Sequence, residues 1–345
     1  MARRLKKTCM LALPALAAGL LLAEAAVRVL GLAPEIGVVR RGRYRLSDNP
    51  LIGYELVPNY RSFRGGEMTD FKGKSNSLGF RDREHAVEKP DGVYRVIVIG
   101  DSVAQGFGLE DDDEMFSAVM ERELLAAGCN AEVLNFAVSG YNTQQEVETL
   151  KAKGLRYDPD MVVVAYCLND WRQSCGYIMD HLLAEESKHR VSAGIMSRLK
   201  FSALARLVYF RFVKPAALTD KYAQLNENTV EKYFDILAGL GKEHSFDVLV
   251  VVFPNTYSWN EKGYDPRHKA VCDMAHGKGF ATLDLVSLFE KESKENKMFL
   301  DIWHPTAHGH KVAGRAIAEA VRRMNKVSVE VVERFRQRQG DELER

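Results

Sequence analysis

The sequence predicts an α/β protein in which a mostly parallel, five-stranded sheet is covered on both faces by helices. Two observations lead there. Short β-branched runs recur between residues 94 and 284 with helical stretches between them, and polar turns follow the carboxyl ends of the first three runs. Parallel strands buried on both faces read as continuous apolar runs rather than alternating ones.

The first strand is Val96 to Ile99, within Y-R-V-I-V-I-G-D-S-V-A-Q-G from Tyr94 to Gly106. Gly100 breaks it and leaves Asp101 and Ser102 just past its carboxyl end. In an open α/β sheet that edge is where ligands and chemistry collect. A serine there, followed by a glycine-bearing turn and an amphipathic helix, is a candidate nucleophile at a helix entrance. Phe116, Val119, Met120 and Leu124 supply the helical spacing and Gly128 closes that helix. Ala131 to Phe136 form the second strand, which runs into A-V-S-G-Y-N-T (Ala137 to Thr143). Gln144 to Gly154 form the next helix.

Met161 to Tyr166 are the third strand and end in Cys167-Leu168-Asn169-Asp170. Val248 to Phe253 and the weaker Ala281 to Asp284 are the fourth and fifth. A loop from Phe299 to His310 then leads to a helix with Val312, Ala313, Ala316, Ile317, Ala320 and Val321 on one face, and Thr306 as its cap.

The chain has 345 residues with 48 basic and 47 acidic side chains, a near-neutral balance that gives no support to nucleic-acid binding. Arg3, Arg4, Lys6 and Lys7 precede an uncharged apolar run from Cys9 to Ala23. Glu24 and Arg28 interrupt it, and apolar character then continues to Leu32. Residues 1–32 read as an uncleaved signal anchor, a signal peptide cut near Ala23-Glu24-Ala25, or a buried helix. Under the first two readings the chain after residue 33 is extracytoplasmic.

Residues 33–90, rich in proline and glycine, read as a stalk and a short-strand extension. Within it, Asn76 to Asp82 reads as a turn with two apolar anchors that clasps the main domain or, through its charge pattern, serves a substrate. The main domain spans 91–325, carries an insertion over 171–232, and is followed by a charged tail over 326–345. The insertion's basic amphipathic middle, Ser197 to Pro215, fits a lid, a packed helix or a membrane-surface contact. Cys9, Cys129, Cys167, Cys175 and Cys272 have no C-x-x-C spacing. They read as buried free thiols or, in an oxidising compartment, as one disulfide pair, for which Cys167 and Cys175 are the nearest in sequence.

A serine hydroxyl needs a base, and the base needs a third group to fix its tautomer. His304 is the candidate base and Asp301 the orienting carboxylate. Acyl transfer also needs donors for the developing oxyanion, and these are the backbone N–H groups of Ser102 and Gly140 and the side-chain amide of Asn169. Asp101 and Asp170 stand in support. The pattern implies no cofactor. His304, His308 and His310 lack helical ligand spacing and a companion carboxylate cluster, so no metal is expected. The turn after the first strand lacks the spaced glycines and Lys-Ser/Thr of nucleotide-binding loops.

These blocks together resemble the SGNH hydrolase superfamily, or GDSL esterases. Gly100-Asp101-Ser102 with Gly106 matches the first block, Gly140 the second, Asn169-Asp170 the third and Asp301-Ile302-Trp303-His304-Pro305 the last. Cys167 stands where the third block usually has glycine. The leader, Asp48 to Asn59 and Asn76 to Asp82 resemble segments of exported bacterial members, which often work around cell-surface polysaccharide. The resemblance implies a flavodoxin-like three-layer sandwich and a serine esterase that cleaves acetyl or short acyl esters. Its expected partners are an ester substrate, acylated carbohydrate by the same resemblance, and a membrane through the N-terminal helix. An O-acyltransferase using the same residues, or a glycan-binding scaffold, are the alternatives. Hydrolysis is expected to rise with pH as His304 loses its proton.

Overall fold

A computed structural model describes residues 2–33, 43–62, 73–170, 178, 179, 182, 201–208, 225, 230–260 and 263–324. The chain forms two compact units, Met1–Arg40 with Gly176–Ala223, and Arg41–Cys175 with Gln224–Arg345. Most of the 171–232 insertion and all of the 326–345 tail lie outside the described residues; of the stretch from 197 to 215, read as a lid, a packed helix or a surface contact, only 201–208 are described.

In the first unit, α1 spans Ala2–Val29. Glu24 and Arg28 pair across one helical turn at 2.6 Å. The Glu24 carboxylate also accepts the N–H groups of Ala203 at 2.7 Å and Leu204 at 2.8 Å. These are the first residues of the short helix α4 (Ala203–Val208), whose open N–H groups need such acceptors. Among the described residues no helix is long and apolar enough to cross a membrane.

The second unit opens with two small antiparallel hairpins, β1 (Tyr44–Leu46) with β2 (Tyr54–Leu56) and β3 (Arg61–Ser62) with β4 (Gly73–Lys74). The central strands are β5 (Tyr94–Gly100), β6 (Ala131–Asn135), β7 (Met161–Cys167) and β8 (Asp247–Phe253). A minor hairpin of β9 (Trp259–Asn260) and β10 (Gly263–Tyr264) precedes β11 (Ala281–Asp284). The five central strands pair in parallel in the order β11-β8-β7-β5-β6. The strand boundaries fall within a residue or two of those read from the apolar runs.

Helices cover both faces, as continuous apolar strands require. Val96, Val98, Val163 and Val251 point to one face. There they meet Phe116, Met120 and Leu124 of α2 (Phe116–Ala126), Phe289 of α7 (Val286–Glu292), and Ala313, Ile317 and Val321 of α8 (307–324). The alternate residues Ile97, Ile99, Val162, Val164 and Val250 are equally buried. On that opposite face lie α3 (Thr143–Thr149) and α5 (Val230–His244), with Phe234 of α5 edge-on to Tyr166. α6 (Pro266–Gly277) leads into β11.

One sequence expectation is corrected. Ser102 does not stand at a helix entrance: α2 begins only at Phe116, and a run of turns over 102–108 intervenes. Gly106 and Gly108 both adopt positive φ there, which stops a helix from propagating.

The chain reverses direction about β5, so β6 lies on one side of it and β7 on the other. The carboxyl ends of β6, β5 and β7 are therefore adjacent, at the topological switch point where open α/β sheets form their sites.

Candidate active site

Ser102 follows the end of β5. The chain must turn sharply there against β7, and a Cβ on Gly100 would stand 3.0 Å from the Ala165 Cβ and 2.7 Å from that of Ala104. Asp101 shapes the turn from within, its Oδ1 accepting the Val103 N–H at 2.8 Å.

The loop that carries His304 closes on itself. Phe299 and Pro305 form an isolated antiparallel bridge, and the Leu300 N–H donates to the His304 carbonyl at 2.7 Å. Inside the loop, Asp301 Oδ1 accepts the N–H groups of Trp303 at 2.8 Å and His304 at 2.9 Å. Its Oδ2 lies 2.7 Å from His304 Nδ1, and His304 Nε2 lies 2.8 Å from Ser102 Oγ. Because Nδ1 faces a carboxylate, it carries the proton, which leaves Nε2 to accept from the serine hydroxyl. Partial burial pushes the Asp301 carboxyl up, but the ring and backbone bonds of His304 and the Trp303 N–H outweigh it and hold it down at about 2. Asp301 is thus a carboxylate at any neutral pH.

Asn169 lies past the end of β7. A tight turn, with the Asp170 N–H donating to the Cys167 carbonyl and the Cys167 N–H to Asp170 Oδ2, both at 3.0 Å, fixes that strand end. The Asn169 amide donates one N–H to Asp101 Oδ2 at 3.1 Å, which ties it to the serine's turn and leaves its second N–H for another acceptor. Gly140 follows β6 with φ +79°. Its neighbour Ser139 is held from two sides. Its N–H donates to Gln105 Oε1 at 3.1 Å, and its hydroxyl bonds the same oxygen. The Tyr54 hydroxyl, from the β1–β2 hairpin, donates to the Ser139 carbonyl at 2.9 Å.

The structure therefore brings Ser102, His304 and Asp301 into one hydrogen-bonded row, ties Asn169 to Asp101 behind it, and sets Asp170 on the Cys167 turn. The other histidines go elsewhere. His308 faces Glu292 at 3.5 Å. His310 is fully buried and its Nδ1 accepts the Phe116 N–H at 3.1 Å, capping α2 where Met115 offers no side-chain cap. Burial, with the nearby charges of Arg81 and His304, pushes His310 down to about 3. Among the described residues no three His, Cys, Asp or Glu side chains could hold a metal ion. Cys129, Cys167 and Cys272 are free thiols, and Cys175 lies outside the described residues.

Three carboxyls are buried under the site. Burial raises Asp101, against the bonds from Val103 and Asn169. Burial and then the Asp101 charge push Glu146 well up, and burial with Glu146 and Asp101 does the same to Asp170. Like carboxyls crowded away from water cannot all ionise.

Residues with no role of their own legible in the sequence complete the frame. Arg81, fully buried, donates from Nη1 to the Gly106 carbonyl at 2.6 Å and from Nη2 to Leu109 at 3.2 Å, while Nε pairs with Asp112 at 2.6 Å. It belongs to the expected Asn76–Asp82 clasp. There, Asn76 Oδ1 accepts the Leu78 and Phe80 N–H groups, and Phe80 stacks on Phe136 at 4.5 Å. Gln105 and Tyr54 gave no signal, since their partners lie far away in sequence.

A second Ser-His-Asp row exists: Ser258 Oγ lies 2.9 Å from His268 Nε2, and His268 Nδ1 lies 3.0 Å from Asp284. Ser258 is fully buried and its oxygen accepts the Asn255 N–H. Sealed from solvent, the row braces the turn from Asn255 to Ser258.

Residues 98–312 match the family described as GDSL-like Lipase/Acylhydrolase. The chain belongs to that family. As a GDSL/SGNH protein it is a serine hydrolase acting on ester bonds. Solved structures similar to it include the acetyl xylan esterase AlAXEase, at 18% identity and TM-score 0.41, covering 66% of this chain and 99% of that one. The psychrotrophic esterase EstA from Pseudoalteromonas sp. gives 10% and 0.40, with 68% and 99% covered. A catalytic mutant of the acetylxylan esterase Axe2 from Geobacillus stearothermophilus gives 16% and 0.41, with 66% and 93% covered. No curated protein matches the chain.

Proposed function

We propose that this GDSL-family esterase removes acetyl or other short acyl groups from carbohydrate outside the cytoplasm, tethered by its N-terminal helix, through Ser102, His304 and Asp301. The observation that carries the mechanism is the unbroken row from Ser102 Oγ to His304 at 2.8 Å and from His304 to Asp301 at 2.7 Å.

His304 Nε2 takes the hydroxyl proton as Ser102 Oγ bonds to the acyl carbon. The carbonyl electrons move onto oxygen, and that oxyanion accepts hydrogen bonds from the N–H groups of Ser102 and Gly140 and the second N–H of Asn169. When the tetrahedral centre collapses, the bond to the alcohol oxygen breaks and that oxygen takes the proton from Nε2. Water then attacks the acyl-serine along the same path, releasing the acid and restoring Ser102. Asp301 keeps its charge throughout and stabilises the imidazolium.

The carbohydrate assignment is supported by the likeness of the leader, Asp48 to Asn59 and Asn76 to Asp82 to exported members acting near polysaccharide. Tyr257, well exposed beside the site on a loop bonded to Ile302 through Thr256, offers a ring face for a sugar. The tether is supported by Arg3, Arg4, Lys6 and Lys7 ahead of an uncharged run, and by the exposed Leu16, Leu20, Leu21 and Leu22.

The test uses the full chain in detergent, wild type and Ser102→Ala, against a fluorophosphonate probe, p-nitrophenyl acetate and an acetylated oligosaccharide. Labelling and acetate release from the oligosaccharide that vanish in Ser102→Ala are expected. Release that survives in the variant refutes the assignment of the nucleophile. Turnover of the phenyl ester alone refutes the carbohydrate assignment.

A further inference from the structure

One ring contact at this site is not used by the steps above. Phe107 lies nearly flat on His304, with ring centroids 4.0 Å apart and planes 26° apart. Its backbone N–H donates to the Ser102 carbonyl at 2.9 Å, so the ring is fixed to the nucleophile's own turn.

The flanking residues hold it there. Gly106 and Gly108 have φ +74° and +80°, a region that side chains rarely adopt. A Cβ on Gly106 would stand 2.7 Å from Met115 Cγ, and one on Gly108 2.5 Å from Leu300 Cδ1. Arg81 grips the Gly106 carbonyl at 2.6 Å. The G-F-G run thus bends the chain on both sides of Phe107 and leaves its ring over the imidazole.

A benzene face carries negative charge density and attracts a cation stacked on it. Proton transfer from Ser102 makes His304 such a cation on the way to the tetrahedral intermediate. A contact that strengthens as that charge forms favours the transition state over the ground state.

We propose that Phe107 is a positioning residue for His304, holding the imidazole in line with Ser102 and Asp301 and favouring its protonated form. The proposal rests on the Ser102–His304–Asp301 reading. The charged and titratable groups around His304 are the Asp301 carboxylate on Nδ1 and the Ser102 hydroxyl on Nε2, with Asp101 and His310 acting through space. Phe107 adds to these without adding charge, so its effect is separable from theirs.

The test measures kcat and KM for p-nitrophenyl acetate from pH 5 to 9 on the full chain, with thermal unfolding alongside. In Phe107→Leu the plateau kcat falls about ten-fold and KM stays within about two-fold. The acid limb moves to lower pH by about half a unit, because a ring that loses a stabiliser of its protonated form gives up the proton more easily. Phe107→Met, which fills similar space without a ring face, gives the same displacement, and Phe107→Tyr restores both quantities. A lower Tm with an unmoved acid limb in both ring-free variants overturns the proposal, since packing alone then accounts for the loss. Unaltered kcat and acid limb overturn it equally. Turnover that persists in Ser102→Ala overturns the catalytic row itself, a result separate from either of these.

Discussion

Arg81→Met removes the guanidinium that ties the N-terminal extension to the turn behind Ser102. The side chain is fully buried, and its donors reach Asp112 at 2.6 Å and the carbonyls of Gly106 at 2.6 Å and Leu109 at 3.2 Å. Burial pulls the guanidinium below its ordinary range, and Asp112, Asp111 and Glu114 pull it back up. Methionine fills much of the volume and offers no donor. Hydrogen bonds to charged groups contribute about 1.5–3 kcal/mol each. Relief from desolvating the cation offsets part of that, so the net loss is about 3–5 kcal/mol. For a unit of this size that lowers Tm by roughly 6–9 °C.

The loop also carries Ser102, and loosening it lowers kcat/KM by about ten- to a hundred-fold. Circular dichroism melts and p-nitrophenyl acetate turnover read the two effects. Asp112 is 45% exposed, so Asp112→Asn costs below about 1 kcal/mol, and the carbonyl contacts account for the rest. Arg81→Lys keeps the charge but not the fork, and falls between the two. If Arg81→Met melts within about 2 °C of wild type and turns over normally, the clasp does not hold the nucleophile loop.

His310 is neutral in the fold, at about 3, and regains ordinary histidine basicity when unfolded. Its stabilising contribution is full above pH of about 6.5 and falls by about 1.4 kcal/mol per unit as acid protonates the unfolded chain. Between pH 7 and 5, wild type should therefore lose about 2 kcal/mol more than His310→Gln, and parallel melting curves for the two would reject this. Tyr54→Phe removes the donor to the Ser139 carbonyl and should lower kcat several-fold, with about 1 kcal/mol of stability lost. An unchanged kcat there would mean that Gln105 alone sets the Gly140 loop.

The sheet was legible because each strand is a local, continuous apolar run. Its parallel order follows from helices long enough to cross over. The Asp301–His304 pair was legible for a similar reason, since both residues sit in one short loop whose bonds are nearly all internal. Ser102, Gly140 and Asn169 were readable because strand ends are marked by glycine and small polar residues. The helix after the Ser102 turn was located by its apolar spacing from Phe116 onward, but that spacing could not show that the two glycines keep 102–108 in turns and set Ser102 apart from the helix entrance.

By itself, then, the sequence determined the strands, their layers from apolar patterning, and the residues on which the proposed function rests. Tertiary structure decided what supports them. Gln105 meets Ser139, Tyr54 reaches the Gly140 loop from a hairpin far upstream, Arg81 grips the serine's turn, and Phe107 covers His304. His310, through Nδ1, caps α2 from 194 residues away in sequence. The physical reason is that a short motif records only bonds made within it. A buried donor or ring takes its meaning from whichever distant carbonyl or imidazole packing brings within a few ångströms, and no local pattern encodes that meeting.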